Sequence, residues 1–426
     1  MKLAVFGLWH LGCVTAACCA KHFEVAGLDL DPANIAKLRT GKAPLFEPGL
    51  DDLIAAGVAS KRLRFTTDAS DACRDADILW VTFDTPVDDD DRADVDLVLN
   101  HIRRVVPSLP SGALVLLSSQ LPVGTCELLE KEFGASGYRF ACTPENLRLG
   151  KAIEIFTQAD RIIAGYRDER AKAQLAALFA PFTSQVIWMR SESAEMTKHA
   201  INGFLALSIT FMNELSLLCE RTGADAKEVE RGLKSESRIG PKAYLSPGGA
   251  FAGGTLARDV VTCINLGEKF NEALSIFPAI KQSNDRHRQW ALRKLTQHFA
   301  AAPKGAIALL GLTYKPGTDT LRRSSAVELA RALHNRGFRV IAHDPSLQAL
   351  PEDLGFITLH ADAATLTRDA AALVVCTEWP AFRTRTDWPA LIAAMPAPLV
   401  IDATRFLSAQ LGAIPNLTYL TVGSPA

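Results

Sequence analysis

The first 31 residues constrain this chain more than any other stretch. An apolar run, Lys2-Leu-Ala-Val-Phe6, meets Gly7, and the loop Gly7-Leu-Trp-His-Leu-Gly12 leads into a helix-like segment, Leu11–His22. A second apolar run, Val25–Leu30, carries Asp29-Leu-Asp31 at its end. Strand, tight turn, helix and strand, with an acid about twenty residues beyond the turn, is the βαβ layout that holds a dinucleotide. The turn keeps the first and third glycines of G-x-G-x-x-G and puts Trp9 at the second. A glycine there ordinarily lets backbone N–H groups approach the pyrophosphate, so an indole crowds or reroutes the cofactor. At the strand end, the Asp29 carboxylate can chelate an adenosine ribose and disfavours a 2′-phosphate, which favours NAD over NADP.

The same alternation continues. Strands are expected at Ile78–Phe83 and Leu114–Ser118, as a parallel, doubly wound sheet requires. From Ser193 to about Thr222 the pattern changes: Met196, Ala200, Phe204, Leu207 and Phe211 recur at spacings of three and four, with Gly203 the single breaker. That spacing predicts a helix of roughly 28 residues, about 42 Å long. Helices of this length join domains or pair with a second chain. Near Lys304 the αβ pattern restarts, with a strand at Ala306–Leu310, a helix at Ala326–Arg336 and a strand at Arg339–His343 before Asp344-Pro345. Later strands are expected at Ala372–Cys376 and Leu399–Asp402. The expected fold class is therefore α/β: two Rossmann-like doubly wound domains joined by a long helical connector. The expected domains are 1–190 for NAD, 191–300 for connection and dimerisation, and 301–426 for a second nucleotide.

Composition excludes several alternatives. A chain of 426 residues has room for two or three domains. Forty-six basic residues balance forty-seven acidic ones, so there is no electrostatic footprint for nucleic acid. No continuous apolar run approaches the ~20 residues of a membrane span, and Leu3–Phe6 is too short for a signal peptide. Nine cysteines form no CxxC pair, and Cys13, Cys18 and Cys19 sit among apolar residues. They fit a reducing, cytoplasmic setting and metal-free packing.

Ordered landmarks beyond the first turn carry a resemblance. They are Glu47-Pro-Gly-Leu50, Thr85-Pro86, Leu121-Pro-Val-Gly-Thr125 and Thr143-Pro-Glu-Asn-Leu-Arg148. Further on come Ala194-Glu-Met-Thr-Lys-His-Ala-Ile-Asn202, Arg238-Ile-Gly-Pro-Lys242, Phe251-Ala-Gly-Gly-Thr-Leu-Ala-Arg-Asp259, Gly311-Leu-Thr-Tyr-Lys-Pro-Gly-Thr-Asp319 and Thr377-Glu-Trp379. With these the sequence resembles the UDP-glucose/GDP-mannose dehydrogenase family over nearly its whole length. Members of that family oxidise the C6 alcohol of a nucleotide-linked sugar to a carboxylate with two NAD molecules.

The resemblance implies roles residue by residue. Lys198 and Asn202, four apart on one helix face, match the pair that stabilises the oxygen developing on C6. Asp259 matches the acid that positions a water or tunes the lysine, and Glu145 the glutamate beside the reacting carbon. Lys315 and Arg238 match substrate contacts, the latter reaching in from a neighbouring subunit. Arg322 matches a base that meets the NAD phosphates across the interdomain cleft, and Thr85 lies in a cofactor-side motif. Read without the motifs, Lys198 is a solvated helix lysine, Asp259 a capping carboxylate, Glu145 a loop acid, and Lys315, Arg238 and Arg322 surface charge.

Departures from the family pattern cluster on the cofactor and hydrolysis side. The nucleophilic cysteine falls on Thr255, whose hydroxyl yields almost no alkoxide at neutral pH. Gln120 replaces a water-holding threonine, Leu149 an acid, and Trp9 a glycine. The expected function is NAD-dependent oxidation at C6 of a nucleotide sugar, UDP-linked by preference, stopping mainly at the aldehyde. The alternative is a relative that binds the nucleotide sugar without net oxidation, as a sensor, scaffold or redox-neutral enzyme. A homodimer through the 193–222 helix is expected, with no nucleic acid and no membrane.

Overall fold

A computed structural model of the protein describes residues 1–88, 91–144, 147–252, 254–395 and 397–425. They form two compact units, Met1–Ile201 and Asn202–Ala426. The first unit contains β1 (Lys2–Phe6), β2 (Glu24–Leu28), β3 (Leu63–Thr66), β4 (Ile78–Val81), β5 (Leu114–Leu117), β6 (Arg139–Cys142), β7 (Ile162–Tyr166) and β8 (Val186–Arg190). Their order in the sheet is β3-β2-β1-β4-β5-β6-β7-β8. Every pairing is parallel except β6 with β7. Helices cover both faces, so the central strands read as unbroken apolar runs instead of alternating. In β1, Leu3 and Val5 enter one core while Ala4 and Phe6 enter the other.

The second unit repeats the plan with β9 (Ala306–Leu310), β10 (Val340–His343), β11 (Ile357–Leu359), β12 (Ala370–Val375), β13 (Leu399–Asp402) and β14 (Thr418–Leu420). These are ordered β11-β10-β9-β12-β13-β14, all parallel. Both sheets thus contain the 3-2-1-4-5-6 order of a doubly wound nucleotide-binding fold, which leaves a crevice at the carboxyl ends where the order reverses.

Each crevice begins with the same device. The first strand of each sheet ends in a glycine with positive φ, +96° at Gly7 and +91° at Gly311. A Cβ on Gly7 would lie 2.8 Å from the Phe83 ring, and one on Gly311 would lie 2.4 Å from Cβ of Thr377. The second strand then supplies a carboxylate that receives the next backbone N–H. Leu8 N–H donates to Asp29 Oδ2 at 2.8 Å, and Leu312 N–H donates to Asp344 Oδ2 at 2.8 Å.

A helix of 32 residues, Ser191–Thr222, joins the units. It starts two residues before the sequence expectation and passes through Gly203 unbroken. A Cβ there would lie 2.9 Å from the Phe277 ring, so the glycine makes room for a packed neighbour. The sequence expectation of no membrane-length apolar segment meets one exception: an 18-residue window of this helix reaches a mean hydropathy of 1.3, enough by length and composition to cross a membrane. Inside the protein 44% of that window is buried, and it packs as a core helix on that side. The first helix runs His10–Cys19 and stops before the expected His22, because the His22 and Phe23 amides both turn back onto the Cys19 carbonyl at 2.9 Å. All nine cysteines are free and eight are buried.

The twin turns make a prediction. Gly311→Ala adds a Cβ at positive φ against the Thr377 backbone and should destabilise the second unit by on the order of 3 kcal/mol. A thermal melt of the variant should show a lowered transition; an unchanged melt contradicts the turn's role.

Candidate active site

The first crevice is a cleft of about 460 Å³ whose lining includes Gly7, Trp9, Asp29, Asn34, Pro44 and Phe83. Asp29 accepts from Leu8 N–H and, through Oδ1, from Asp31 N–H at 2.9 Å. Asn34 completes the corner: its Nδ2 donates to the Leu8 carbonyl at 2.8 Å and to Asp29 Oδ2 at 3.2 Å. Two acceptors fix the amide orientation and leave Asn34 Oδ1 buried and without a hydrogen-bond partner. An orphaned acceptor beside a strand-end carboxylate fits a ribose diol, which brings hydroxyl donors. No sequence signal marks Asn34, a polar residue in the first turn of the helix Pro32–Arg39.

The rest of the glycine loop also fits a dinucleotide. Gly12 lies so close to the turn that a Cβ there would sit 1.9 Å from the Gly7 carbonyl oxygen. Trp9, at the position of the missing glycine, has φ −88° and ψ −151°, a backbone any residue adopts. The departure therefore costs no strain; its effect is steric, with an indole 48% exposed on the cleft wall. Thr85 is buried, and its hydroxyl donates to the Gln120 carbonyl at 2.7 Å, so these two residues do meet. Leu149 is exposed. Glu145 lies outside the described residues.

A second set of residues is built in Asn202–Ala426. The helix Thr255–Phe270 presents exposed Thr255 at its first position and fully buried Asp259 one turn later. Asn202 Nδ2 donates to Asp259 Oδ2 in a short hydrogen bond, so the expected asparagine and acid come together. Lys198 lies half-buried one turn before Asn202 on the long helix. Three side chains hold the loop leading to Thr255. Asn284 bonds both the N–H and the carbonyl of Phe251, at 3.0 and 2.9 Å. His287 donates to the Gly248 carbonyl at 2.8 Å, and Asn213 receives Gly248 N–H at 3.2 Å. No sequence signal marked these three.

No thiol stands in for the absent nucleophile on this helix. Cys263, two turns beyond Thr255, is buried, and burial followed by the Asp259 charge pushes its thiol up to about 11. Lys315 is half-buried and its carbonyl receives the Thr313 hydroxyl at 3.4 Å. Arg322 is exposed. Arg238 is largely exposed and pairs with Glu236 at 3.0 Å.

Comparison with known proteins follows the same division. Residues 1–183 match the UDP-glucose/GDP-mannose dehydrogenase family NAD binding domain, 192–286 its central domain and 308–409 its UDP binding domain. The UDP-glucose 6-dehydrogenase of Pseudomonas aeruginosa is 34% identical over 362 residues, covering 82% of this chain and 80% of that protein. The UDP-glucose 6-dehydrogenase TuaD of Bacillus subtilis is 32% identical, covering 82% and 77%. Among solved structures, a UDP-glucose dehydrogenase from Pyrobaculum islandicum superposes with a TM-score of 0.84 at 29% identity, covering 100% of this chain and 98% of that one.

The cleft geometry predicts how cofactor affinity responds to substitution. Trp9→Gly should tighten NAD binding by removing the indole from the pyrophosphate approach. Asp29→Ala should weaken binding about tenfold or more, since it removes a charge-assisted contact worth roughly 1.5–3 kcal/mol. Titration calorimetry measures both; loss of binding in Trp9→Gly means the indole itself holds the dinucleotide.

Proposed function

The chain belongs to the UDP-glucose/GDP-mannose dehydrogenase family, and we propose that it oxidises C6 of a UDP-linked sugar and stops mainly at the 6-aldehyde. It is an NAD-dependent nucleotide-sugar dehydrogenase; the UDP preference, the stopping point and the residue roles are the proposal. The observation that carries it is the contrast between the kept Asn202–Asp259 pair and the threonine at position 255.

Hydride acceptance is the chemistry NAD supplies when bound. Gly7, Gly12, Asp29 and Asn34 would hold its adenosine and pyrophosphate, with Thr85, Gln120 and Arg322 assigned to the same cofactor. Lys198 and Asn202 stabilise the alkoxide that forms as the C6 hydroxyl loses its proton. Asn202 spends one amide hydrogen on Asp259 and keeps the other for that oxygen. Asp259, fixed by Asn202, takes the proton through a water. Glu145, Lys315 and a neighbouring subunit's Arg238 are assigned to the sugar nucleotide.

Acid formation needs a second oxidation, for which the aldehyde must first add a nucleophile. Thr255 offers a hydroxyl where a thiolate serves the family, and each missing tenfold of rate is ~1.4 kcal/mol of barrier. Gln120 and Leu149 further alter the residues around a hydrolytic water. Nine free cysteines support a reducing, cytoplasmic setting. The division 1–190, 191–300 and 301–426 assigns cofactor, connection and nucleotide sugar.

The long helix supports a homodimer. Phe204, Leu207 and Phe211 follow one another at helical spacing and are 68%, 37% and 49% exposed. A face this apolar is covered in solution, and a second copy of the chain also brings in the missing Arg238.

Two measurements test this reading. Incubation with UDP- and GDP-sugars should release one NADH per sugar and yield the aldehyde or its hydrate, and Thr255→Cys should raise acid formation. Two NADH and a uronate from the unmodified protein refute the stopping point, and no NADH at all favours a binding relative without net oxidation. Light scattering at micromolar concentration should give a dimer mass, and a strictly monomeric mass rules the helix pairing out.

A further inference from the structure

Glu47, in the Glu47-Pro-Gly-Leu50 motif, is a landmark with no role assigned so far. Its loop lies between the helices Pro32–Arg39 and Leu50–Ala59, yet the residue is only 4% exposed. The carboxylate receives three donors from two distant parts of the chain. His10 Nε2 lies 2.9 Å from Oε2, Gly150 N–H donates to Oε2 at 2.8 Å, and Ala152 N–H donates to Oε1 at 2.9 Å. Burial pushes the Glu47 carboxyl pKa up, but hydrogen bonds from Gly150, His10 and Ala152 outweigh it and hold the group below the usual carboxylate range. An ionised carboxylate accepts only, so His10 presents its Nε2–H.

The two ends of this tie are functionally distinct. His10 opens the first helix, immediately after Trp9 in the glycine loop. Gly150, at φ +89°, and Ala152 set the start of the helix Ala152–Thr157, directly after the Glu145 motif and Leu149. Two of the positions that depart from the family pattern, Trp9 and Leu149, therefore each sit one residue from an end of the tie. Both are exposed while the carboxylate between them is buried. A buried charge with three donors cannot reorient without leaving one of them unpaired. A shift of His10 therefore leaves a donor unpaired unless Gly150 shifts with it.

We propose that Glu47 is a positioning residue that couples the glycine loop to residues 147–152, so that loading NAD orders the segment beside the reacting sugar. This rests on the dehydrogenase reading above. A mere brace would make the same three bonds, but cutting it would lower stability without altering how one segment responds to events at the other.

Hydrogen–deuterium exchange on the full chain, with NAD as the probe, separates the two. In the unmodified protein NAD should slow exchange about tenfold in both 8–14 and 148–153. Glu47→Gln turns an N–H donor toward a backbone N–H, and His10→Ala cuts the tie while leaving both backbone bonds to Glu47 intact. In each variant NAD should still protect 8–14 but no longer 148–153, and turnover at saturating NAD should fall about tenfold. His10→Gln keeps a donor and should restore both responses. Protection of 148–153 that survives in His10→Ala, or in a folded Glu47→Gln, overturns the proposal; if Glu47→Gln does not fold, His10→Ala decides. Calorimetry on the unmodified protein comes first, and absence of NAD binding there refutes the dehydrogenase reading and this inference together.

Discussion

A carboxylate at the end of a second strand, receiving the backbone N–H that follows the first strand's glycine, is the contact on which both halves of this protein depend. Asp29 and Asp344 make it with the same 2.8 Å bond in sheets of the same strand order. The bond sets the backbone just after the glycine, whose positive φ and missing Cβ let the turn pass against Phe83 or Thr377. The two copies then differ in what is left over. Asp344 is nearly filled: besides Leu312 it accepts from Thr313 N–H, the Thr313 hydroxyl, Ser346 and the Trp379 indole. Asp29 shares its corner with Asn34, whose buried Oδ1 has no partner. One acid closes its own turn; the other leaves a buried acceptor, Asn34 Oδ1, unpartnered beside it.

Chemistry is retained unevenly around this frame. On the proposed reading the groups that hold and deprotonate an alcohol are present, and Asn202 donates a hydrogen bond to Asp259. By the resemblance, Thr255, Gln120, Leu149 and Trp9 are assigned to positions where the family captures an aldehyde, hydrolyses it or admits the cofactor. Such a pattern follows from the different demands of the two oxidations. Removing hydride from an alkoxide needs charge stabilisation, which a lysine and an amide provide. Carrying an aldehyde to an acid needs an activated nucleophile, and a hydroxyl without its thiolate replacement is a poor one.

Buried polar side chains position these groups more than the apolar core does. Asn213, Asn284 and His287 hold the loop before Thr255 by its backbone, and Glu47 holds two segments more than a hundred residues apart. Each bonds the main chain at specific points, so each fixes a geometry that apolar packing alone leaves adjustable. The long helix Ser191–Thr222 contributes differently: it carries Lys198 and Asn202 on one face and an exposed aromatic stripe on another.

Local periodicity and turn chemistry made the fold class, the two glycine turns, the strands at Lys2–Phe6 and Ala306–Leu310 and the long helix legible in the sequence. These features are written in near neighbours, where spacing of apolar residues and glycine placement decide the backbone. Motif order likewise made Lys198, Asn202, Asp259 and Thr255 readable as candidates. The partners were not readable. Nothing near Asn34 indicates that its amide will join Asp29 to Leu8, and nothing near Glu47 indicates that it will be buried beneath His10 and Gly150. The pair Asn202–Asp259 spans 57 residues, and Glu47 reaches Ala152 across 105. Hydrogen bonds of that range exist only once the helices and sheets have packed, because tertiary packing, not the local sequence, brings their ends together. The sequence by itself determined which elements form and which chemical groups they carry; the tertiary structure decided which of those groups meet.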